Sequence, residues 1–454
     1  MLPSSSTRLL AASRLHALTT SRIRGLATVS AANPAHSYKV VVIGGGSAGM
    51  AVTAQLALDA LFRKGTRKDI LMIDPSDVHY YQPLWTFVGA GLKQMKESER
   101  PMGQLVPKQA EWLKDRVSRI DPAANIVTTG SNRQIKYEYL VVAPGIKLDF
   151  EKIPGLVESL GKDGVTSNYA VQSVEKTSEF LKAFKGGNAI FTQPATPIKC
   201  AGAPQKIAYL AEELFRTRGL RPQTNVRFHT GMGKIFAIDK YAAPLTEICA
   251  SRNIAVHLFS NLIALRPDAK QAVFRDVSPT ASAGKETIVD YDFIHVTPPM
   301  SAPPFIRQSG LGNADGWVDV DKETTQHVKY PNVYALGDAS SLPTSKTAAA
   351  AAAESAVTTH NLLRAIKNGT GPAAAYGGYT SCPLITGKGK LILAEFSGYT
   401  GKPQETFFYD QSKESALSYA LTANIIPSLY WEGQVKGLWK GPGVVRRITN
   451  PFDS

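Results

Sequence analysis

The stretch YKVVVIGGGSAGMAVTAQLALDALF, residues 38–62, decides the fold. A run of apolar β-formers leads into three glycines, and a segment with helical periodicity follows them. The glycines have the spacing G-x-G-x-x-G. The first allows the tight turn, the second lets the backbone approach a pyrophosphate, and the third lets the helix pack on the strand. The N-terminus of the helix supplies N–H donors to the phosphates. The residues predicted to contact a dinucleotide here are Gly44, Gly46, Ser47, Ala48 and Gly49.

An acidic residue completes this pattern. The segment DILMIDPSD, residues 69–77, places Asp74 at the end of the next apolar strand, where its carboxylate can accept the ribose hydroxyls of an adenosine. With strand, turn, helix and acid all present, the sequence favours a dinucleotide site over a glycine-rich structural turn. The motif alone does not choose between FAD and NAD.

Two later strands resemble motifs of flavoproteins that have two dinucleotide domains. YEYLVVAPG (137–145) resembles their ATG-type strand, and NVYALGDAS (332–340) resembles their second FAD motif, in which the aspartate accepts from the ribityl chain. The alternative for Asp338 is an N-cap of the following helix. In this order, the motifs indicate an FAD domain interrupted by an inserted domain. We therefore expect an α/β fold with two Rossmann-like dinucleotide-binding domains.

The insert lacks the glycine fingerprint of NADH-using relatives. Its first strand runs instead into TQPATPIKCAGAPQK, residues 192–206, where prolines and Cys200 stand in place of the glycines. The nicotinamide pyrophosphate site is therefore expected to be missing.

The charge distribution concerns location. The formal net charge is +14. The first 30 residues hold four arginines, and no acidic residue occurs before Asp59. This composition indicates a mitochondrial transit peptide at 1–30, with a disordered tail as the alternative. No apolar run is long enough to span a bilayer. A basic chain without a nucleic-acid motif suits an anionic membrane surface or small anionic substrates, although it is also compatible with an ordinary solvated surface.

The chain has three cysteines, too few for a disulfide scaffold, and no CxxC pattern that would predict a metal site. Cys200 is expected in a loop just before a helix that starts near Pro204, where the helix N-terminus and nearby lysines favour a thiolate. Cys382, in YTSCPLIT (379–386), is also expected in a loop. Cys249 is expected to be structural, on an amphipathic helix. Without further context, Cys200 and Cys382 are each unremarkable.

Longer strings supply that context: TPIKCAGAPQKI, HVTPPM, GWVDVDKET, LGDASSLPTSKTAAA and YTSCPL. Together they resemble the mitochondrial type of sulfide:quinone oxidoreductase, and the similarity runs from about residue 38 to about 445. The resemblance implies FAD as cofactor and a redox-active disulfide or trisulfide between Cys200 and Cys382. It implies that sulfide attacks Cys382, which becomes a persulfide, and that Cys200 is released as a thiolate beside the flavin. Glutathione or sulfite would then take the outer sulfur, and ubiquinone would take the electrons.

The resemblance also places Lys346 near the flavin, where it would stabilise the reduced ring; the alternative is a lysine pointing into solvent at the start of a helix. The remaining residues predicted to bind FAD are Gln82, Val117, Gly145, Asp338, Lys346 and Thr347.

Residues 405–447 mix aromatic and cationic side chains in amphipathic segments. Such segments lie in the bilayer interface without spanning it, so we expect attachment to the inner mitochondrial membrane; an ordinary dimer or core helix is the alternative. Phe396, Phe408 and Tyr409 are predicted walls for the quinone. The predicted domains are 1–30 (transit peptide), 38–160 and 301–400 (FAD domain), 161–300 (insert) and 401–454 (membrane-interface and quinone region).

Three other functions compete with this interpretation. An NADH:quinone oxidoreductase requires the second glycine fingerprint, which the insert lacks. A flavocytochrome-type sulfide dehydrogenase shares the cysteines but passes its electrons to a haem subunit. A flavin-bound redox sensor or scaffold is not distinguished by motifs.

Overall fold

The structure, a computed structural model, describes residues 36–65 and 68–450. The predicted transit peptide at 1–30 lies outside the described residues. The described residues fall within one compact unit, 34–454. The division of this unit at 160, 300 and 400 stays a prediction.

The first sheet has a parallel core. Its strand from His36 to Ile43 pairs with a strand on each side, and every residue from Val40 to Ile43 is buried. The Val333–Ala335 strand, from far along the chain, pairs in parallel with the end of Gln134–Val142, so the chain returns to this sheet after the insert. The parallel strands are Ala110–Leu113, Ile70–Ile73, His36–Ile43, Gln134–Val142 and Val333–Ala335; an antiparallel pair, Ile126–Thr129 and Val117–Asp121, extends the sheet.

The second sheet is entirely parallel and lies within the predicted insert. Its order is Val165–Thr166, Phe293–His295, Gly187–Gln193, Thr224–Thr230 and Ala255–His257. Three antiparallel strands follow the last of these along the chain: Ser260–Arg266, Gln271–Asp276 and Glu286–Asp290. The prediction of an α/β fold with two Rossmann-like sheets is therefore confirmed.

Helices cover the sheets and connect the strands, as parallel crossovers require. The α-helices are Ser47–Leu58, Ala60–Arg63, Trp85–Gly89, Met102–Leu105, Leu156–Ser159, Val171–Ala183, Ala203–Thr217, Asp239–Ser251, Pro304–Gln308, Ala348–Asn368, Ala416–Ala420, Ile426–Leu429 and Gly443–Thr449. Short 3₁₀ turns are Gln82–Leu84, Met95–Ser98, Phe150–Lys152, Arg221–Gln223, Pro267–Ala269 and Gly337–Ala339. Two small antiparallel pairs are Val78–Tyr80 with Glu99–Pro101, and Lys147–Leu148 with Met300–Ser301.

The prediction of a loop around Cys382 is wrong. Cys382 lies in the strand Tyr379–Gly387, which forms a hairpin with Lys390–Ser397 and pairs Cys382 with Ala394. Pro383 was the reason to expect a loop, but a two-stranded hairpin tolerates proline because the missing N–H can face the outer edge. The hairpin contributes Cys382 to the same apolar core as the second sheet, so it positions this cysteine against the insert.

The C-terminal segment is helical from Ala416 to Gln434, with π turns at Leu421–Ile425 and Tyr430–Gln434. It packs directly on the first dinucleotide helix: a side chain at Gly437 would stand 2.7 Å from the backbone nitrogen of Gln55. Within 36–65 and 68–450, no helix has both the length and the apolar character to cross a bilayer.

One buried histidine makes the fold sensitive to acid. His295, at the end of a strand of the second sheet, accepts a hydrogen bond from the Asn168 backbone N–H at 2.8 Å, and burial lowers the pKa of the His295 imidazole to about 3. The unfolded chain binds this proton near pH 6.5. The stability gained by keeping the ring neutral is therefore complete above about pH 6.5 and is lost as the pH falls toward about 3.

We expect His295→Gln, which retains an acceptor for the Asn168 N–H, to lose stability less steeply than the wild type below about pH 6.5. The difference in unfolding free energy between the wild type and the variant should change by about 1.4 kcal/mol, in favour of the variant, for each pH unit below about 6.5. Urea unfolding at several pH values measures this, with the exposed His360 changed to Gln as the control. Parallel acid profiles for all three proteins would contradict the prediction.

Candidate active site

The three glycines of the first motif have the geometry that their predicted roles require. Gly44 has φ +97°, and a side chain there would meet the Ala143 carbonyl oxygen at 2.2 Å. A side chain at Gly49 would meet the Gly44 carbonyl oxygen at 1.9 Å, so helix and turn are in direct backbone contact. A side chain at Gly46 would meet no atom of residues 36–65 or 68–450 within 4 Å. The open space therefore lies where a pyrophosphate would approach, next to Ser47 and Ala48 at the start of the helix.

Asp74 is tied to the same turn. One carboxylate oxygen accepts from the Gly45 N–H at 2.7 Å, and the other accepts from the Ser76 N–H at 2.8 Å. The end of its strand is thereby fixed beside the glycine turn, as the ribose-binding role requires.

Two residues that the sequence analysis missed close this turn. The His79 ring makes hydrogen bonds with the Gly45 carbonyl at 2.8 Å and with the Tyr430 hydroxyl at 2.5 Å. The same hydroxyl lies 2.8 Å from the Ser47 hydroxyl. His79 follows the Asp74 loop closely enough to have been considered, but no local pattern marks Tyr430, which is 383 residues away from Ser47.

The second motif is built around buried charges. The Gly337 N–H donates to the Glu354 carboxylate at 2.7 Å, and burial raises the pKa of Glu354 to about 7. Burial likewise raises the pKa of Asp338. Lys346 does not point into solvent: its ammonium donates to the carbonyls of Asp338 and Ser340 at 2.9 Å each and lies over the Trp317 ring. Burial lowers the pKa of Lys346.

The other predicted cofactor residues lie on several different elements. Gly145 has φ +77°, and a side chain there would meet no atom within 4 Å in the part of the chain that the structure describes. Gln82 accepts from the Lys199 ammonium at 2.7 Å. Thr347 caps the helix Ala348–Asn368 through the Ala350 N–H at 3.1 Å. Val117 lies on the antiparallel extension of the first sheet. The open positions at Gly46 and Gly145, together with Asp74 and the helix N-terminus, fit an extended dinucleotide.

Cys200 and Cys382 meet, although they are far apart in the sequence. Their sulfur atoms are 3.4 Å apart, as two free thiols rather than a disulfide. Cys200 has the left-handed backbone φ of +54°, and its N–H contacts the carbonyls of Ser345 and Lys346 at 3.0 and 3.1 Å. Gly202 leaves room for the partner, since a side chain there would stand 2.5 Å from the Cys382 sulfur.

The two sulfurs differ in acidity. Hydrogen bonding with Cys382 and the nearby charge of Lys206 lower the pKa of the Cys200 thiol to about 6, despite its burial. The Lys206 ammonium is itself buried, 3.8 Å from the Cys200 sulfur. Sharing its proton with the Cys200 thiolate, together with burial, raises the pKa of Cys382 well above the usual range. Both shifts favour the thiolate on Cys200, next to a buried cation, over a thiolate on Cys382. Burial lowers the pKa of the neighbouring Lys199 to about 8.

Cys249 has the surroundings of a structural cysteine. It lies on the helix Asp239–Ser251, its sulfur is 3.7 Å from the Tyr209 hydroxyl, and burial raises the pKa of its thiol to about 11. A thiol of this kind is a poor nucleophile.

The three predicted quinone residues differ in their exposure. Phe396 is buried in the same core cluster as Cys382 and packs edge-on against Phe236. Phe408, by contrast, is 87% exposed. Tyr409 is half-buried and its hydroxyl lies 2.8 Å from the Ser418 hydroxyl. Phe408 and Tyr409 are neighbours, with ring centroids 6.3 Å apart, whereas Phe396 lies in the interior. The role of the three residues as quinone walls stays a prediction.

Comparisons with known proteins agree with this geometry. Residues 38–189 match the model of the pyridine nucleotide-disulphide oxidoreductase family. The chain is 46% identical over 411 residues to the mitochondrial sulfide:quinone oxidoreductase of Mus musculus, covering 90% of this chain and 89% of the relative. It is 44% identical over 405 residues to the mitochondrial sulfide:quinone oxidoreductase of Dictyostelium discoideum, covering 89% and 87%. The solved sulfide:quinone oxidoreductase of Aquifex aeolicus shares the fold, with a TM-score of 0.73 and 21% identity over 91% of this chain and 95% of that chain.

The acidity of Cys200 is directly testable. Lys206→Met removes the buried cation beside the thiol and keeps most of the side-chain volume. We expect the pKa of Cys200 to rise from about 6 by at least about one unit, since an opposite charge at this distance is worth about 1–3 units. The rate of alkylation by iodoacetamide against pH measures it, with the exposed Lys285 changed to Met as the control. An unchanged pH profile would show that Lys206 does not set the acidity of the thiol.

Proposed function

The chain belongs to the family of mitochondrial sulfide:quinone oxidoreductases, and we propose that Cys200 and Cys382 are the residues at which it oxidises sulfide. The enzyme is an FAD-dependent sulfide:quinone oxidoreductase. The observation that carries the proposal is the pair of sulfurs 3.4 Å apart beside the buried ammonium of Lys206. Of the three cysteines, these two have the proximity and the asymmetric acidity that thiol–disulfide chemistry uses.

The cycle starts from the Cys200–Cys382 disulfide. HS⁻ attacks the Cys382 sulfur, a new sulfur–sulfur bond forms there, and the old bond breaks with its electron pair leaving on Cys200. The products are a Cys382 persulfide and a Cys200 thiolate. Attack at Cys382 is favoured because the thiol of lower pKa leaves faster, and Cys200 is that thiol. Lys206 stabilises the departing charge.

The persulfide then loses its outer sulfur to a nucleophile, and we propose sulfite or the thiolate of glutathione. The nucleophile bonds to the outer sulfur, the persulfide bond breaks, and Cys382 keeps the electron pair and a proton as a thiol. When the disulfide re-forms, the two cysteines release two electrons and one proton. FAD, when bound, accepts this electron pair and supplies it to ubiquinone.

Residues around the two motifs would hold the cofactor. Gly46 and the helix N-terminus at Ser47 suit the pyrophosphate, and Asp74 suits the adenosine ribose. Asp338 and Lys346 lie at the opposite end, where the Cys200 backbone is bonded to Lys346. The ammonium of Lys346, held by two carbonyls, would place a fixed positive charge near the flavin.

The loop that would bind the pyrophosphate of NADH makes other contacts in this chain. The loop after the first long strand of the insert, Gly187–Gln193, leads into Cys200 and its hydrogen bonds to Ser345 and Lys346. A glycine fingerprint would require this same loop for a second pyrophosphate. The loop geometry therefore favours sulfide over NADH as the electron donor.

The C-terminal segment presents apolar side chains to the outside, which supports docking on the inner mitochondrial membrane. Its exposed large apolar residues are Phe408 (87%), Leu417 (61%), Ile425 (57%), Leu438 (67%), Val444 (62%) and Ile448 (75%). Lys436, Lys440 and Arg447 lie among them. An apolar surface with cationic neighbours suits a monotopic position from which the enzyme collects quinone from lipid.

The cysteine assignment predicts distinct phenotypes. Cys200→Ser or Cys382→Ser should lower sulfide-dependent quinone reduction by at least about a thousandfold, in line with the loss of a covalent catalyst, while FAD stays bound. Cys249→Ser is the matched control and should stay active. The measurement is quinone reduction in protein with an unchanged flavin absorbance. An inactive Cys249→Ser with active Cys382→Ser would refute the assignment.

The membrane assignment is best tested by point substitutions, because truncation after Gln411 would also remove Tyr430 and its contact with Ser47. The combined change of Leu417, Ile425 and Leu438 to Ser should release the protein from membranes, since each buried apolar side chain contributes about 1.5–3 kcal/mol. Bleaching of the flavin by sulfide should be unchanged, whereas its reoxidation by a long-tailed quinone should slow at least about tenfold.

The matched control changes three apolar side chains of similar exposure elsewhere: Val157, Ile288 and Val328. These variants should remain on the membrane and keep both half-reactions. Equal membrane binding by the two triple variants would exclude the C-terminal segment as the docking surface.

A further inference from the structure

A cationic cleft lies beside the C-terminal helical segment. It has a volume of about 480 Å³ and separates this segment from the Met95–Ser98 turn. Its lining residues are Leu84, Lys93, Lys96, Glu97, Arg100, Ala423, Asn424, Pro427, Ser428 and Trp431. None of these residues has a role in the sulfur chemistry or in the dinucleotide turn.

The lining of the cleft has more positive than negative side chains. Lys93 is paired with Glu97 at 3.0 Å, which neutralises the one carboxylate of the lining. Among the described residues, no carboxylate lies within 4.0 Å of the Lys96 ammonium. One guanidinium nitrogen of Arg100 donates to the backbone carbonyls of Glu99 and Lys96. Two exposed cations therefore face the cleft with donors to spare.

A buried aromatic side chain positions one of these cations. Trp431 is 6% exposed and lines the cleft. The Arg100 guanidinium lies 4.9 Å from the centre of the Trp431 ring, so the two groups are adjacent. The ring therefore holds the Arg100 guanidinium at the wall of the cleft through a cation–π contact.

The cleft opens next to the apolar docking surface. Asn424, Pro427, Ser428 and Trp431 are three or four residues apart and share one face of the helical segment. Ile425, which follows Asn424 directly, and Leu417 are among the exposed apolar side chains of the same segment. A molecule with an anionic head and apolar tails would satisfy both faces at once.

We propose that this cleft binds the phosphodiester headgroup of an anionic phospholipid, with Lys96 and Arg100 as its donors and with the Trp431 ring holding Arg100 in place. The acyl chains lie along Ile425 and Leu417. This rests on the proposed docking of the C-terminal segment on a membrane, and adds a specific lipid site to it. A neighbouring cleft of about 570 Å³ shares Lys93 and Lys96 and adds Lys182, but it also adds two carboxylates, Glu175 and Glu179, which makes it less suited to an anion.

The test uses the full FAD-loaded protein and vesicles of phosphatidylcholine with or without phosphatidylglycerol. Lys96→Gln with Arg100→Gln should weaken binding to the phosphatidylglycerol vesicles by about 25-fold, at about fivefold per cation. The control pair, Lys436→Gln with Lys440→Gln, removes the same formal charge from the C-terminal segment outside the cleft. Because Lys436 is already paired with Glu432, this change should weaken binding by about fivefold or less. Trp431→Phe should also weaken binding to the anionic vesicles. Binding to pure phosphatidylcholine should be the same in all variants.

Each other outcome overturns a defined part of the argument. Equal losses in the two lysine-containing pairs would show diffuse attraction and no site. Displacement of the vesicles by inorganic phosphate, beyond the effect of chloride at equal ionic strength, would identify a free phosphate site instead of a lipid site. Wild-type protein that binds no vesicle of either composition would refute membrane docking itself, whereas equal binding to both compositions would refute only the lipid site.

Discussion

The active site depends on one contact, in which the turn at Cys200 is bonded to the backbone at Ser345 and Lys346. This contact joins the insert to the second motif of the first sheet. It holds a non-glycine residue at a positive φ, a conformation that persists only where surrounding interactions enforce it. The Cys382 hairpin and the absent side chain of Gly202 then bring the second sulfur within reach. The contact therefore fixes the Cys200 turn in the position where the Cys382 sulfur lies 3.4 Å away.

Charge explains why the pair is asymmetric. Lys206 lies one turn into the helix that follows Cys200, and its ammonium is buried against the Cys200 sulfur rather than exposed like most lysines. A buried cation and a thiolate stabilise each other, which raises the pKa of Lys206 despite its burial and lowers that of Cys200. The same pairing leaves Cys382 as the protonated partner. The difference in acidity between the two thiols therefore depends on the helix that carries Lys206.

The sequence predicted the parts of this site that depend on local patterns. The strand, turn and helix at 38–62, Asp74, and the loop before the Ala203 helix all follow from periodicity and from glycine and proline positions within short windows. It did not predict features that depend on distant contacts. Pro383 suggested a loop because a sequence does not show that its strand has a free edge. The burial of Phe396 also depends on distant contacts, since the hairpin register turns its side chain into the core. The roles of His79 and Tyr430 were not predicted, because the hydrogen bond between them joins residues that are 351 positions apart in the sequence.

That last bond has a consequence for how the glycine turn is protected. Tyr430 and Gly437 contact this turn and the helix Ser47–Leu58, so the turn is covered by residues that are distant in the sequence. Local opening of the C-terminal segment would therefore uncover the turn while the first sheet stays folded. A dinucleotide held there would exchange with solution at the rate at which that segment opens, and not at the slower rate at which the whole protein unfolds.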